Sequence, residues 1–395
     1  MVDGRAVIAG AWLVAATACI TDRGVRASFG VPDSADAELI VTTVAAWDTA
    51  RPWTVESEAI ARIGEMDGDA PYLFQGVVGV EVLEDGRIAV ADGLSREIRF
   101  FDAQGTHLLT FGGAGEGPGE FASIEWLGRC GVGLFVMDPR SARVTVLSLQ
   151  GELVETFPLR DPDTGRTTYD ARCGPDGQML FNAWGELDAP REFEVFSEES
   201  LLRLWDPGSQ RAVELGRYVS AERLQAGRTI WPHPFGRAVV FALDHDRVLI
   251  GRSERLQVEV RNFDGELTRI FRGPDLDLSL PGEALGRYRS AEVSRPDSLL
   301  RQRLEAEGAA MPDSVPAYRR FLVDPLRNLW LERFEGPFEV APRQWGVFSD
   351  DGVFLGHVTM PEAFRLMDVT ADLLAGVATD ELGVERIELY RLERH

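Results

Sequence analysis

Along this chain, short apolar runs alternate with Asp/Gly breaks at a spacing too tight for helices. The clearest stretch is Leu83 to Gly112, LEDGRIAVADGLSREIRFFDAQGTHLLTFG. Arg87 to Asp92 is apolar at most positions, as a strand buried on both faces is, whereas Ile98-Arg99-Phe100 alternates and keeps one wetter face. The breaks read as turns, with Asp accepting backbone N–H groups and Gly taking positive φ. The phrase recurs. Naming the strands of each unit a, b, c and d, strand b falls at Arg87–Asp92, Gly133–Asp138, Gln178–Ala183, Arg247–Arg252, Asn328–Arg333 and Asp372–Val377. Strand c ends in a second turn closed by Gly105, Gly151, Gly208, Gly265 and Gly352, with Asp102, Asp206, Asn262 and Asp350 placed to cap it.

A repeated unit of this kind buries its apolar face only by stacking on its neighbours. The sixth copy stops after Arg386–Tyr390, too early for a strand d, while Trp53–Gly64 is a strand-like segment with no repeat of its own and resembles the d strand THLLTFG. Closing the ring with that N-terminal strand removes the exposed edge of an open array. The expectation is an all-β, six-bladed β-propeller of four-stranded antiparallel blades over 51–395. GRIAVAD, REIRFFDAQG and the segment FGGAGEGPGEF together resemble the NHL-repeat and TolB-like propellers, the last string being similar to an NHL inter-blade linker. That resemblance implies the fold; its members serve as binding scaffolds, lyases and lactonases alike.

In such a blade the a–b and c–d turns lie on one face, and the b–c and d–a connections on the other, here called the top. The turns of the first class are short. The extra sequence falls in the second: Trp184–Ser200, Gly216–Phe235, Gly273–Pro316 and Phe334–Arg343. One-sided insertions mark a binding face. Between blades four and five, Ser294, Pro296, Asp297 and Gly308 frame a small helical insertion, either a lid or a plug at the channel mouth.

Charge narrows the partners. The chain has 395 residues and a net charge of −23, from 41 basic against 64 acidic residues, and every basic residue is Arg. So acidic a protein repels phosphate backbones and anionic bilayers, which argues against nucleic acid. Residues 1–19 read as a signal peptide: Arg5, the apolar run Ala6–Ala16, then Ala16-Thr17-Ala18 before Cys19. The Cys resembles a lipobox cysteine, so export is either as a lipoprotein or as a soluble protein, with 20–50 a polar leader, carrying at most one strand at Glu38–Val44, and the membrane met only through the lipid. Setting Cys19 aside leaves Cys130 and Cys173, in equivalent places of successive repeats, as a disulfide or two structural thiols.

For chemistry, Asp92 and Asp138 end strand b in blades one and two, and Arg252 and Arg333 end it in blades four and five. Such a ring would grip a zwitterion or peptide, Arg taking a carboxylate in bidentate fashion, or the acids merely cap their turns. Trp184, Trp231 and His233 form a recognition surface or packed loops. Glu116-Gly117-Pro118 matches the metal-binding EGP segment of gluconolactonase-type propellers, but the whole string fits a linker better. No His cluster, Gly-x-Ser-x-Gly or phosphate loop occurs, and no cofactor is implied. The reading is a non-catalytic binding or scaffolding propeller of the cell envelope for a protein, peptide or small ligand, the alternative being a divalent-metal lactonase or hydrolase. Replacing Cys19 with Ser is expected to move the protein from the membrane pellet to the soluble fraction; continued pelleting would exclude the lipid anchor.

Overall fold

The computed structural model describes residues 37–395, apart from 49–50, 132, 162–163, 166–167, 185–194, 227–228, 281, 283–284, 287, 289, 291–313 and 337–341. The signal peptide, Cys19 and the expected Ser294–Gly308 helix lie outside the described residues, as do the side chains of Trp184 and Trp231. Ahead of the repeats come β1 (Glu38–Val41), β2 (Thr54–Val55) and β3 (Ala61–Ile63). Blade one is β4 (Val77–Val82), β5 (Ile88–Asp92), β6 (Glu97–Phe101) and β7 (His107–Gly112). Blade two is β8 (Trp126–Cys130), β9 (Gly133–Asp138), β10 (Arg143–Ser148) and β11 (Leu153–Pro158). Blade three has β12 (Thr168–Cys173), β13 (Met179–Trp184), β14 (Val195–Asp206), β15 (Arg211–Ala226) and β16 (Thr229–Pro232). Blade four has β17 (Val240–Asp244), β18 (Arg247–Gly251), β19 (Gln257–Asn262) and β20 (Leu267–Arg272). Blade five has β21 (Tyr318–Val323), β22 (Leu329–Arg333), β23 (Gln344–Phe348) and β24 (Phe354–Thr359). Blade six has β25 (Phe364–Val369), β26 (Leu373–Thr379) and β27 (Glu385–Glu393), and β27 pairs with both β2 and β3. This is a six-bladed propeller.

The central strands carry the burial. Every residue of β5, β9 and β18 is buried, and the apolar clusters form between successive blades, as where Val80, Val90 and Phe101 of blade one meet Ala375, Val377 and Ile387 of blade six. The c–d turns close as their residues dictate: Asp102 accepts the N–H groups of Gln104 and Thr106 at 3.0 and 2.7 Å, and Gly105 has φ 84°. In blade five the cap is Ser349 rather than Asp350; Ser349 accepts the Val353 N–H, while Asp350 reaches Arg247 of blade four at 2.8 Å.

Three expectations change. The leader from Glu38 to Asp48 lies on the propeller. Strand β1 adds in parallel to the outer edge of β20, Thr42 Oγ1 accepts the Phe354 N–H of blade five, and Trp47 packs over Gly356. Gly356 has φ 148°, and a Cβ there would meet the Trp47 ring at 2.5 Å, so the indole needs a glycine beneath it. Trp47 then meets Trp53, which meets Trp330, so the segment belts blades four to six from outside. Trp53–Gly64 is not one strand but two, β2 and β3, each on β27. In blade three, much of the expected loop sequence is strand: β14 and β15 stay paired from Asp206↔Arg211 out to Val195↔Leu224, and β16 extends the sheet. Buried Tyr218, Ser220 and Leu224 keep the two-residue period well past the usual end of strand d.

Cys130 and Cys173 end the inner strands β8 and β12 and are bonded to one another, with Cα atoms 5.0 Å apart and a sequence separation of 43. A loop of that length loses about 4 kcal/mol of unfolded-state entropy when closed. Replacing both cysteines with Ala is therefore expected to lower unfolding free energy in urea by up to about 4 kcal/mol; an unchanged midpoint would show that the bond contributes nothing.

Candidate functional site

The topology separates two families of connections as expected. The a–b and c–d turns are short, for example 83–87, 245–246 and 349–353, while by element order the longest connections, between β13 and β14, β20 and β21, and β22 and β23, all belong to the b–c and d–a classes. Part of that top sequence forms its own small core. Phe235, from the link into blade four, is fully buried and meets Tyr288 at 5.7 Å and Phe334 at 6.2 Å, and Val315 joins them.

The expected ring of acids does not face a mouth. Asp92 is fully buried at the end of β5, and its carboxylate accepts the N–H groups of Gln75, Leu94 and Ser95 at 2.9, 3.0 and 3.2 Å. Asp138 does the same in blade two, accepting from the N–H groups of Ala122, Ser123 and Ser141 and from the Ser123 hydroxyl. Burial by itself would raise the Asp138 carboxyl; the hydrogen bonds, Ala122 and Ser141 foremost, hold it below the ordinary range. Each acid ties its b–c turn to the link entering its own blade, and Arg99 and Arg143 stand 3.8 and 3.6 Å away. The turn-capping reading of these residues holds.

His233 is also buried, its Nδ1 accepting the Phe235 N–H at 3.2 Å within a tight turn. The Arg252 guanidinium lies over the Tyr218 ring at 4.9 Å and donates to Glu259 at 3.1 Å, which also takes Arg261 and the Tyr218 hydroxyl. Arg333 donates to Gln344 at 3.0 Å. No described contact joins Asp92 or Asp138 to Arg252 or Arg333. The GEGPGEF segment is an inter-blade link: Ala114 bridges to Phe121, Glu120 accepts the Gly117 N–H, and Glu116 is exposed. Among the described residues, no three His, Cys, Asp or Glu side chains come together to hold a metal ion.

What the sequence reading missed is the charge on the inner strands. Glu332, buried near the top of β22, takes Arg319 at 2.8 Å, Arg343 at 2.6 Å and Arg320 at 3.2 Å. Burial would raise this carboxyl, and Arg320 and Arg319 pull it below its ordinary range. Arg320 also donates to the Leu366 carbonyl of blade six and lies 5.0 Å over the Trp345 ring. Arg365 of blade six donates to the Val77 carbonyl of blade one at 2.8 Å. Arg172 of blade three stacks on Trp126 of blade two and Phe241 of blade four, at 4.9 and 5.2 Å, so its guanidinium spans the front of its own blade. The available signal was the arginine placed on inner strands, in Tyr318-Arg319-Arg320 and Phe364-Arg365-Leu366.

Toward the bottom ends of β4, β8 and β25 the balance reverses. Arg129 donates to Glu81 at 3.2 Å and to the Val82 carbonyl, and Asp368 accepts the Val82 N–H at 2.8 Å. Burial first, and then Asp368, push the Glu81 carboxyl well above the ordinary range, with Arg129 opposing. A raised acid holds a proton that the unfolded chain has lost, so its contribution to stability is present at low pH and fades as pH rises through the folded value. Glu81→Gln fixes the neutral form. Its melting temperature is expected to match the wild type near pH 5 and to exceed it increasingly toward pH 8, each 1 kcal/mol being worth about 2 °C. An offset that stays constant with pH would refute this assignment.

No family model matches this chain, and no curated protein matches it. Among solved structures it is similar to a member of the DUF4221 family from Bacteroides vulgatus, at 12% identity and a TM-score of 0.51, covering 87% of this chain and 99% of that one. A Bacteroides fragilis protein named as exported aligns at 10% identity and 0.49, over 91% and 99%. A gluconolactonase from Xanthomonas campestris aligns at 12% and 0.45, over 81% and 87%. At these identities the likeness concerns the fold alone.

Proposed function

We propose that this is an exported, lipid-anchored propeller of the cell envelope that binds a protein, peptide or small ligand on its top face without transforming it. The observation that carries the reading is the use of the top connections. They hold nearly all the sequence beyond the repeat, and they build a layer of their own around Phe235, Tyr288 and Phe334. A propeller that needed only to be stable has no use for such a layer on one face alone. The residues best placed for acid–base work are meanwhile engaged elsewhere, Asp92 and Asp138 by backbone N–H groups and His233 in its turn. The motif GRIAVAD and the linker at 111–121 support an NHL-like repeat, and the acidic composition supports a partner other than nucleic acid.

The purified propeller, supplied with Ca²⁺, Zn²⁺ or Mn²⁺, is expected to leave gluconolactone and simple aryl esters at their background hydrolysis rate. Its melting temperature is expected to stay the same with and without a chelator. Chelator-sensitive turnover of either substrate would overturn the binding reading in favour of a metal-dependent hydrolase.

A further inference from the structure

The arginines at the top of the inner strands are arranged for more than neutralising Glu332. Strand a begins and strand b ends on the top face, so Arg319, Arg320, Arg365 and Glu332 all lie at that end of the central channel. Side-chain exposure is 32% for Arg319, 30% for Arg320 and 27% for Arg365, against 2% for Glu332. The carboxylate is therefore the floor and the guanidiniums are the wall a ligand would touch. Arg365 donates to Glu385 Oε1 at 3.5 Å, while Oε2 of the same carboxylate accepts the Gly76 and Val77 N–H groups at 2.6 and 2.8 Å. Burial foremost pulls the Arg320 guanidinium below its ordinary range, Glu332 opposes this, and Arg319, Arg365 and Arg172 add to it as like charges. Such crowding costs free energy that an incoming anion would relieve.

Two features set this cluster apart from a structural ion pair. It runs against the charge of a chain at −23, so a cationic mouth in an acidic surface selects its ligand by sign. Its members are also held from behind. The Trp345 face and the Leu366 carbonyl fix Arg320, and the Val77 carbonyl fixes Arg365. Pre-oriented guanidiniums lose little freedom on binding, and their planar fork matches two oxygens of a carboxylate or phosphate. At the opposite end the single guanidinium of Arg129 is already taken by Glu81 and by the Val82 carbonyl, so nothing comparable faces a ligand there.

Building on the top-face binding reading, we infer that the channel mouth is a receptor for an oxyanion, a carboxylate or phosphate group on a small ligand, gripped by Arg320 and Arg365 with Arg319 at the rim. Glu332 is a positioning residue that gathers the guanidiniums.

The test uses the mature protein at low ionic strength, with citrate, glutarate and inorganic phosphate as probes and spermidine as the opposite-sign control, followed by calorimetry and thermal melting. Expected are saturable binding of an anion, a raised melting temperature, weakening with added salt, and no effect of spermidine. Citrate or glutarate binding in preference to phosphate would identify a carboxylate ligand, and the reverse a phosphate one. Arg320→Gln and Arg365→Gln should each weaken binding at least about tenfold. Arg211→Gln, at an exposed pair with Asp264 beyond the c–d turn, should leave it unchanged. If one channel variant fails to fold, the other still decides the matter, with near-ultraviolet circular dichroism checking its packing. Equal anion binding in all three variants, or binding of spermidine alone, would overturn the oxyanion assignment. Absence of binding by all three anions would overturn it as well. None of these outcomes touches the non-catalytic reading, which falls only with metal-dependent turnover.

Discussion

Closing a sheet-built ring forces six inner strands to converge, and everything else in this protein is arranged around that convergence. An inner strand has a partner on one side only, strand b of its own blade, so part of its backbone faces the channel with unpaired carbonyls. Here long cationic side chains cross from blade to blade to meet them. Arg129 of blade two reaches the Val82 carbonyl of blade one, Arg320 of blade five reaches Leu366 of blade six, and Arg365 of blade six reaches Val77 of blade one. Arg172 makes the same crossing through the Trp126 and Phe241 rings. A guanidinium suits this role because several donors in one plane satisfy a carbonyl and an acid together, while its face still packs on an aromatic ring. The Cys130–Cys173 bond links two of the same strands covalently.

The outside of the ring is closed by different means. Strand β27 accepts the N-terminal β2 and β3, so the last blade is finished by residues from the other end of the chain. The belt that leads there crosses blade four as β1 and blade five through Thr42 and Trp47. Arg394, from the C-terminal end, lies 4.3 Å over Trp53 and donates to Asp324 at 2.8 Å. Both ends of the propeller thus meet at one aromatic and charged junction, and loss of pairing at either end exposes the same edge. Apolar stacking holds the blades together in the middle layer, polar stitching holds them at the channel, and the belt holds them at the rim.

How much of this could be read from residues alone follows the same division. The repeat, the b strands and the one-sidedness of the long connections were legible because each rests on local chemistry: Asp and Gly in turns, and continuous apolar runs in doubly covered strands. A strand in the leader was legible at Glu38–Val44, whose apolar run stands out from its polar surroundings, but its place was not, because it lacks a repeat to compare with and only the edge of β20 receives it. The long β14–β15 arm was hidden because Ser197, Glu198 and Glu199 read as loop, and their pairing depends on the alternation of Tyr218, Ser220 and Leu224 far along the chain. Asp92 and Asp138 were found as equivalent positions, and their role was set by donors, Gln75 and Ala122, that lie well upstream. The inner arginines escaped notice because an isolated Arg in a strand looks like surface until the ring places it against the next blade.

The same placement explains why the two ends of the channel differ. At the top, strands a start and strands b end, so Arg319 and Arg320 from the first class meet Glu332 from the second, Arg343 joins them from the connection to β23, and three guanidiniums converge on one carboxylate. At the bottom, the a strands run directly into short turns, with no room for a loop to add further charge, and Glu81, Arg129 and Asp368 must satisfy one another. Burial there, with Asp368 adding its charge against a single guanidinium, is what displaces Glu81 upward. The long connections could grow only where the strands leave open ends, and that is also where the guanidiniums are exposed. The long connections and the exposed guanidiniums therefore arise at the same end of the ring from one topological fact, the sense in which each blade is wound.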